Sequence, residues 1–339
     1  MNKAKVHKIF SLLFKTTILL LSLIYIYYKI FYNQDLDKIR FSVFLASENN
    51  SFVGYLLLVL LLMPLNWGIE VIKWRYLIFK IERLSFYDSL KAVLVGITFS
   101  SFTPNRIGDY FGRAFMLNNP KKSDGVLITI IGSIAQSVVT IVAGTIGLIW
   151  LENILLTNIL FINKLPLMIS LSVMFVINTL ILLVYFKISF LNKLFLKFRF
   201  LKKLSPYTQI FARYSFYELL TVLFLSLLRY FVFIFQFYLL LLIFNIEISL
   251  FDGLAIIAII YLVTTIIPTI ALSELGIKSA AAIYIFELYD RQTAYFSNTI
   301  ALSIVSATFI LWLLNLAIPA LVGGFYVFKM KLYKKPCND

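Results

Sequence analysis

Six runs in this chain are apolar for long enough to cross a lipid bilayer, and that property decides what it can fold into. They cover residues 9–32, 52–72, 126–150, 165–186, 217–244 and 298–328. A helix crosses the hydrocarbon layer in about 20 residues. Backbone groups in lipid have no water to bond, so each run must satisfy its own N–H and C=O groups, as a helix does. Of the 339 residues, 61% are hydrophobic and 14% charged, more apolar surface than a water-soluble core can hide. The alternating pattern of a membrane barrel is missing. The expected fold is all-α: a polytopic integral membrane protein forming one transmembrane domain over residues 1–339.

The formal net charge is +15, but the basic residues gather at the ends of the apolar runs. There they set topology and attract anionic lipid headgroups, so nucleic acid is not the expected partner. The basic start "MNKAKVHK", residues 73–83, Lys121 and Lys122, residues 187–213 and the tail "KMKLYKK" all read as cytoplasmic. Both termini are therefore expected inside, and the first run reads as an uncleaved span. Cys337 is the only cysteine and His7 the only histidine, so no internal disulfide, metal site or cofactor is expected.

Two further segments, residues 85–118 and 249–290, are apolar but broken. At an offset of 164, "SFYDSLKAVLVGITFSSFTP" lies over "SLFDGLAIIAIIYLVTTIIP". Ser85 then matches Ser249, Asp88 matches Asp252, Pro104 matches Pro268 and Gly112 matches Gly276. Matched Asp, Pro and Gly carry weight in a chain with 8 prolines and 13 glycines. The charge topology brings the first copy in from the cytoplasm and the second from outside. The expectation is thus six full spans plus two re-entrant helical hairpins forming an inverted repeat, the arrangement that marks a transporter site near the midplane.

In the first hairpin, Pro104 suits the first helical position with Thr103 as N-cap. In the second, Pro268 ends one half-helix and Ser273 caps the next. Gly108 and Gly112, and Gly276 with Ala280, are spaced to let hairpin arms pack closely. Arg106, Asp109 and Arg113 fall on one helical face, as do Glu274 and Lys278. Charges at membrane depth pair with each other or face a cavity, and two half-helix N-termini beside Arg106 suit an anion such as a lipid phosphate. Arg229 stands mid-span with Gln236 on its face. Glu70 and Lys73, between Trp67 and Trp74, read as a structural pair at the inner interface with tryptophan anchors.

These segments carry a resemblance. "TPNRIGDYFGRAFML" resembles the "TPGRIGE…R" segment of the lysylphosphatidylglycerol synthase transmembrane-region family of flippase-like proteins. "IIPTIALSELGIKSAAAI" is similar to its "P…GGLGVRE" segment, and "NWGIEVIKWRYLI" to its tryptophan/arginine segment. In this chain Asn105 stands for the usual glycine, Asp109 for glutamate, Ser273–Glu274 for the glycine pair and Lys278 for arginine. The resemblance implies an inner-membrane protein that moves a lipid rather than an enzyme. It carries the site to Pro104, Arg106, Gly108, Asp109, Arg113, Glu274, Gly276 and Lys278. The cargo it implies is a membrane phospholipid or a polyprenyl-linked lipid, and a homo-oligomer is compatible with it. About ten residues follow the last run, so the synthases' lysyltransferase domain is not expected. Asp35 and Asp37 support a rival, a glycosyltransferase using polyprenyl-phosphate sugars; a non-transporting scaffold is the other alternative.

Overall fold

The computed structural model describes residues 52–118, 122–151, 164–187, 209–267, 271–290 and 298–329. Among them there are helices and no strands. In chain order they are α1 (Phe52–Ile78), α2 (Phe86–Ser100), a short 3-10 turn (Pro104–Arg106), α3 (Ile107–Phe115), α4 (Lys122–Trp150) and α5 (Lys164–Phe186). A second 3-10 turn (Gln209–Arg213) leads to α6 (Phe216–Ile243), α7 (Leu250–Ile266), α8 (Ala271–Asp290) and α9 (Asn298–Trp312). A π-helical turn (Leu313–Ala317) joins α9 to α10 (Ile318–Lys329).

Helices α1, α4, α6 and the continuous α9–α10 rod are long and apolar enough to cross a membrane. The chain is a multi-pass membrane protein. The five later apolar runs of the sequence all appear as helices; residues 9–32 lie outside the described residues. Helix α1 continues to Ile78, beyond the expected end at 72, because Glu70, Lys73 and Trp74 are buried against neighbours rather than spread at an interface. Trp67 and Trp74 are likewise 7% and 1% exposed. They are core residues, and the indole N–H of Trp74 donates to Thr129 Oγ1 at 3.0 Å.

The two segments matched in the sequence form two antiparallel helix pairs. In the first, a Cβ placed on Gly112 of α3 would sit 2.8 Å from Gly96 Cα and 3.0 Å from the Val95 carbonyl of α2. One on Gly108 would strike the Phe99 carbonyl. Only glycine lets these arms approach so closely, as expected for small-residue packing. In the second pair, Tyr289 near the end of α8 donates to Asp252 Oδ2 at the start of α7, at 3.0 Å. The two pairs start alike. Ser85 caps α2 by accepting the Asp88 N–H at 3.1 Å, and Ser249 caps α7 by accepting the Asp252 N–H at 3.2 Å. The second arms start at Ile107 and Ala271, positions related by the same offset of 164.

Local details differ from expectation. Helix α3 does not begin at Pro104 with Thr103 as N-cap. Asn105 and Arg106 both adopt left-handed backbone, φ 50° and 56°, and delay the helix to Ile107. Thr103 Oγ1 still accepts a first-turn amide, Gly108 N–H, at 2.7 Å. Ser273 is not an N-cap, since α8 begins two residues earlier at Ala271 and encloses it. Pro268 lies outside the described residues, but Ile267 before it is extended (φ −81°, ψ 117°), the conformation a following proline favours. A Cβ on Gly276 would meet no atom of the described residues within 4 Å, so Gly276 makes no close packing among them.

The glycines that do seat the second pair lie on α4. A Cβ on Gly147 would come 2.7 Å from the Ala255 carbonyl of α7, and Gly144 faces Leu262. Gly323 of α10 lies in the same way against the Leu94 carbonyl of α2. Each pair's first arm is thus packed by the helix that follows the other pair. The pairs also sit at opposite ends of α4. Lys122 at its start donates to the Leu117 carbonyl just past α3, while Trp150 at its end donates to Asp252 Oδ1 at 2.9 Å.

Candidate functional site

The two pairs, α1, α4, α6 and the π-helical turn line a partly open cavity of about 410 Å³. Its lining includes Lys73, Arg106, Arg113, Arg229 and Lys278 with Glu70, Asp109 and Glu274. Five cations thus face three carboxylates, an excess that favours an anion.

Glu70 is the centre of one charge cluster. Its Oε1 accepts from Arg113 Nη1 at 2.7 Å. Its Oε2 accepts from Lys73 Nζ at 2.8 Å and from Arg229 Nη1 at 2.8 Å. Arg113 reaches back one helical turn to Asp109, Nε to Oδ1 at 2.8 Å and Nη2 to Oδ2 at 2.7 Å. The i, i+4 spacing on α3 aligns those two side chains. Glu70, Lys73 and Arg113 are all 5% exposed or less. A buried charge that loses its partner is costly, so the members of this cluster hold one another in place.

The second cluster joins the two pairs. Arg106 Nη2 donates to Glu274 Oε1 at 2.5 Å, and Lys278 Nζ lies 3.7 Å from the same oxygen. Lys278 also lies 5.5 Å from the Tyr261 ring centroid. Arg106 is half exposed, while Glu274 is largely covered. The side chain of Ser273 is not among those described.

An uncharged chain of hydrogen bonds extends from the first cluster. Arg229 Nε donates to Asn66 Oδ1 at 3.0 Å, and Asn66 Nδ2 to Asn315 Oδ1 at 2.8 Å. Asn315 Nδ2 donates to Gln236 Oε1 at 2.7 Å, and Gln236 Nε2 to the Val59 carbonyl at 2.9 Å. Arg229 and Gln236, read from the sequence as sharing a face, are linked through α1 and the π-helical turn rather than directly. The Arg229 guanidinium also lies 5.4 Å from the Trp67 ring and 5.1 Å from the Phe233 ring.

The structure therefore gathers Arg106, Asp109, Arg113, Arg229, Glu274 and Lys278 around one cavity. Sequence reading assigned Glu70 and Lys73 to an interface and passed over Asn66, Gln136 and Asn315. The signal was present: each is a polar side chain inside an apolar run, which in lipid needs a partner or a cavity. Asp35 and Asp37 lie outside the described residues.

A family model described as the Lysylphosphatidylglycerol synthase TM region matches residues 12–323. No curated protein and no solved structure matches the chain.

Proposed function

The chain belongs to the lysylphosphatidylglycerol synthase TM region family, and we propose that it moves an anionic lipid headgroup across the membrane through the cavity between its two helix pairs. The observation that carries this reading is the cavity itself: a partly open space between apolar helices with five cations and three carboxylates in its lining. A membrane protein keeps charges at such a place when they line a path. In this reading the pairs are re-entrant hairpins of an inverted repeat. Arg106, at the break of the first, touches Glu274 in the first turn of α8, and the free ends of the two pairs lie at opposite ends of α4.

Arg106 and Lys278 take the phosphate. They share one carboxylate between them, so an anion can replace Glu274 as the partner of Arg106. Arg113 has its guanidinium filled by Glu70 and Asp109 and serves to hold α3 against α1. The cargo is a phospholipid or polyprenyl-linked lipid, moved without catalysis. The protein sits in the inner membrane with both termini cytoplasmic, consistent with the basic residues at the ends of its spans.

The test is translocation of a fluorescent anionic phospholipid in proteoliposomes, read by quenching of the outer leaflet. Arg106→Ala and Glu274→Ala are each expected to slow translocation by about tenfold or more, roughly 1.4 kcal/mol in the barrier. Both should leave the yield of folded protein unchanged. Wild-type rates in both variants would sink the site assignment.

A further inference from the structure

The three carboxylates of the cavity are not held alike. Both oxygens of Glu70 accept from cations, and so do both of Asp109. Glu274 depends on far less. Its Oε1 accepts from Arg106 Nη2 at 2.5 Å, while Lys278 Nζ, at 3.7 Å, is beyond hydrogen-bond range. Its Oε2 has no hydrogen-bond partner among the described residues. The side chain is largely covered, yet the residue lines the partly open cavity. One bond from a half-exposed arginine is thus the main support for a carboxylate at this depth.

The surroundings offer no substitute. The elements packed against α8 are α7, α9 and the turn Pro104–Arg106. The turn brings Arg106, and α7 brings Tyr261, whose ring lies 5.5 Å from Lys278 Nζ. Asp252 stands at the far end of α7, bonded to Tyr289, and α9 carries no titratable side chain. On α8 itself, Tyr284, Glu287 and Asp290 lie further along, towards its other end. Across the cavity, Glu70, Lys73, Asp109, Arg113 and Arg229 bond one another. The remaining titratable groups of the lining are Tyr110 and Tyr230, and a tyrosine stays neutral near pH 7.

Anion binding at this place changes the proton count. A phosphodiester on Arg106 and Lys278 takes the hydrogen-bond donor from Glu274 and sets a second negative charge beside it. Burial without a donor and a neighbouring like charge both disfavour the ionised carboxylate. A proton from solvent, entering through the partly open cavity, removes that charge. The O–H it forms can donate to a phosphate oxygen. When the anion leaves, the proton returns to solvent and Glu274 takes Arg106 back.

We infer that Glu274 couples anion binding to proton uptake, so that the site takes a lipid phosphate together with one proton. This rests on the anionic-lipid reading given above and adds the ion that can drive it. A singly charged headgroup and its proton carry no net charge between them, so they cross without working against the membrane potential. A proton gradient then pulls the lipid with it.

The test is titration of short-chain phosphatidylmethanol, a lipid phosphodiester, into the full chain in phosphatidylcholine nanodiscs. Affinity is measured between about pH 5.5 and 8, and proton uptake is read with a pH dye in weak buffer. The occupied site holds one proton more than the empty one, so wild-type affinity should rise by up to about tenfold for each unit the pH falls. About one proton should be taken up per lipid bound. Glu274→Gln has the shape of the protonated acid and no charge to lose. It should take up no proton, show no pH dependence and bind about tenfold or more tighter than wild type at the alkaline end. Wild-type binding without proton uptake overturns the coupling and leaves the anionic-lipid reading intact. Proton uptake that persists in Glu274→Gln places the proton elsewhere and overturns the assignment. No binding by wild-type protein at any pH overturns both. Dimethyl phosphate matching the lipid in affinity and proton uptake would assign the site to a soluble phosphodiester and overturn the coupling to lipid.

Discussion

Arg106 Nη2 and Glu274 Oε1 lie 2.5 Å apart and join two helix pairs whose partners are 168 residues apart in sequence. This contact ties the turn between α2 and α3 to the first turn of α8, at the lining of the cavity. Its two members should be coupled. Arg106→Glu and Glu274→Arg, singly, put like charges together and should each abolish translocation. The double reversal rebuilds the pair and should recover part of the rate. Additive losses in the double variant would show that the two residues act separately.

Glu70 anchors three cations, so removing it should cost more than removing any one of them. Glu70→Ala is expected to lose about 3–5 kcal/mol, the usual range for stripping a partner from a buried charge. Lys73→Met should cost clearly less, since Arg113 and Arg229 continue to hold Glu70. Thermal unfolding in detergent orders the two; equal melting temperatures would contradict the cluster as described.

Asn105 and Arg106 are consecutive left-handed residues, a conformation glycine adopts freely and β-branched residues avoid. Asn105→Gly should be tolerated. Asn105→Val should cost about 1–2 kcal/mol and shift the Arg106 side chain off Glu274. Melting temperatures of the two variants decide this, with a harmless valine as the contrary result.

Gly112 and Gly276 are matched at the offset of 164 but sit in different surroundings. Gly112→Ala drives a methyl group into the α2 backbone and should cost about 1–3 kcal/mol. Gly276→Ala meets no atom of the described residues and should be neutral or slightly stabilising, because alanine favours helix. The opposite order of stability would mean that the packing assigned to the first pair is wrong.

These contrasts show where the sequence speaks and where it is silent. The spans were legible because lipid demands long apolar runs, and α4 and α6 begin and end within a few residues of expectation. The like starts of the two helix pairs were legible through Ser85/Asp88 and Ser249/Asp252, whose capping chemistry is local and so leaves a local trace. The role of Glu70 was not. Its partners come from α3 and α6, and an i, i+3 neighbour at Lys73 gave it a sufficient local explanation. Asn66 and Asn315 were passed over for the same reason, as their bonds form only where α1, α6 and the π-helical turn meet. A helix starting at Pro104 was the simpler local reading, and the left-handed backbone at Asn105 and Arg106 displaced it. Pairing across the fold has no sequence period, and that is the part the residues alone withheld.

A path between the two helix pairs requires them to part for a headgroup to pass. Arg106→Cys and Glu274→Cys, made in a Cys337→Ser background, can be joined by a short reducible linker in proteoliposomes. The charges are lost in this variant, so residual translocation is compared before linking, after linking and after reduction. The prediction is that linking stops the residual translocation of anionic lipid and reduction restores it. Translocation that continues at the same rate through the linked protein would contradict the path proposed between the pairs.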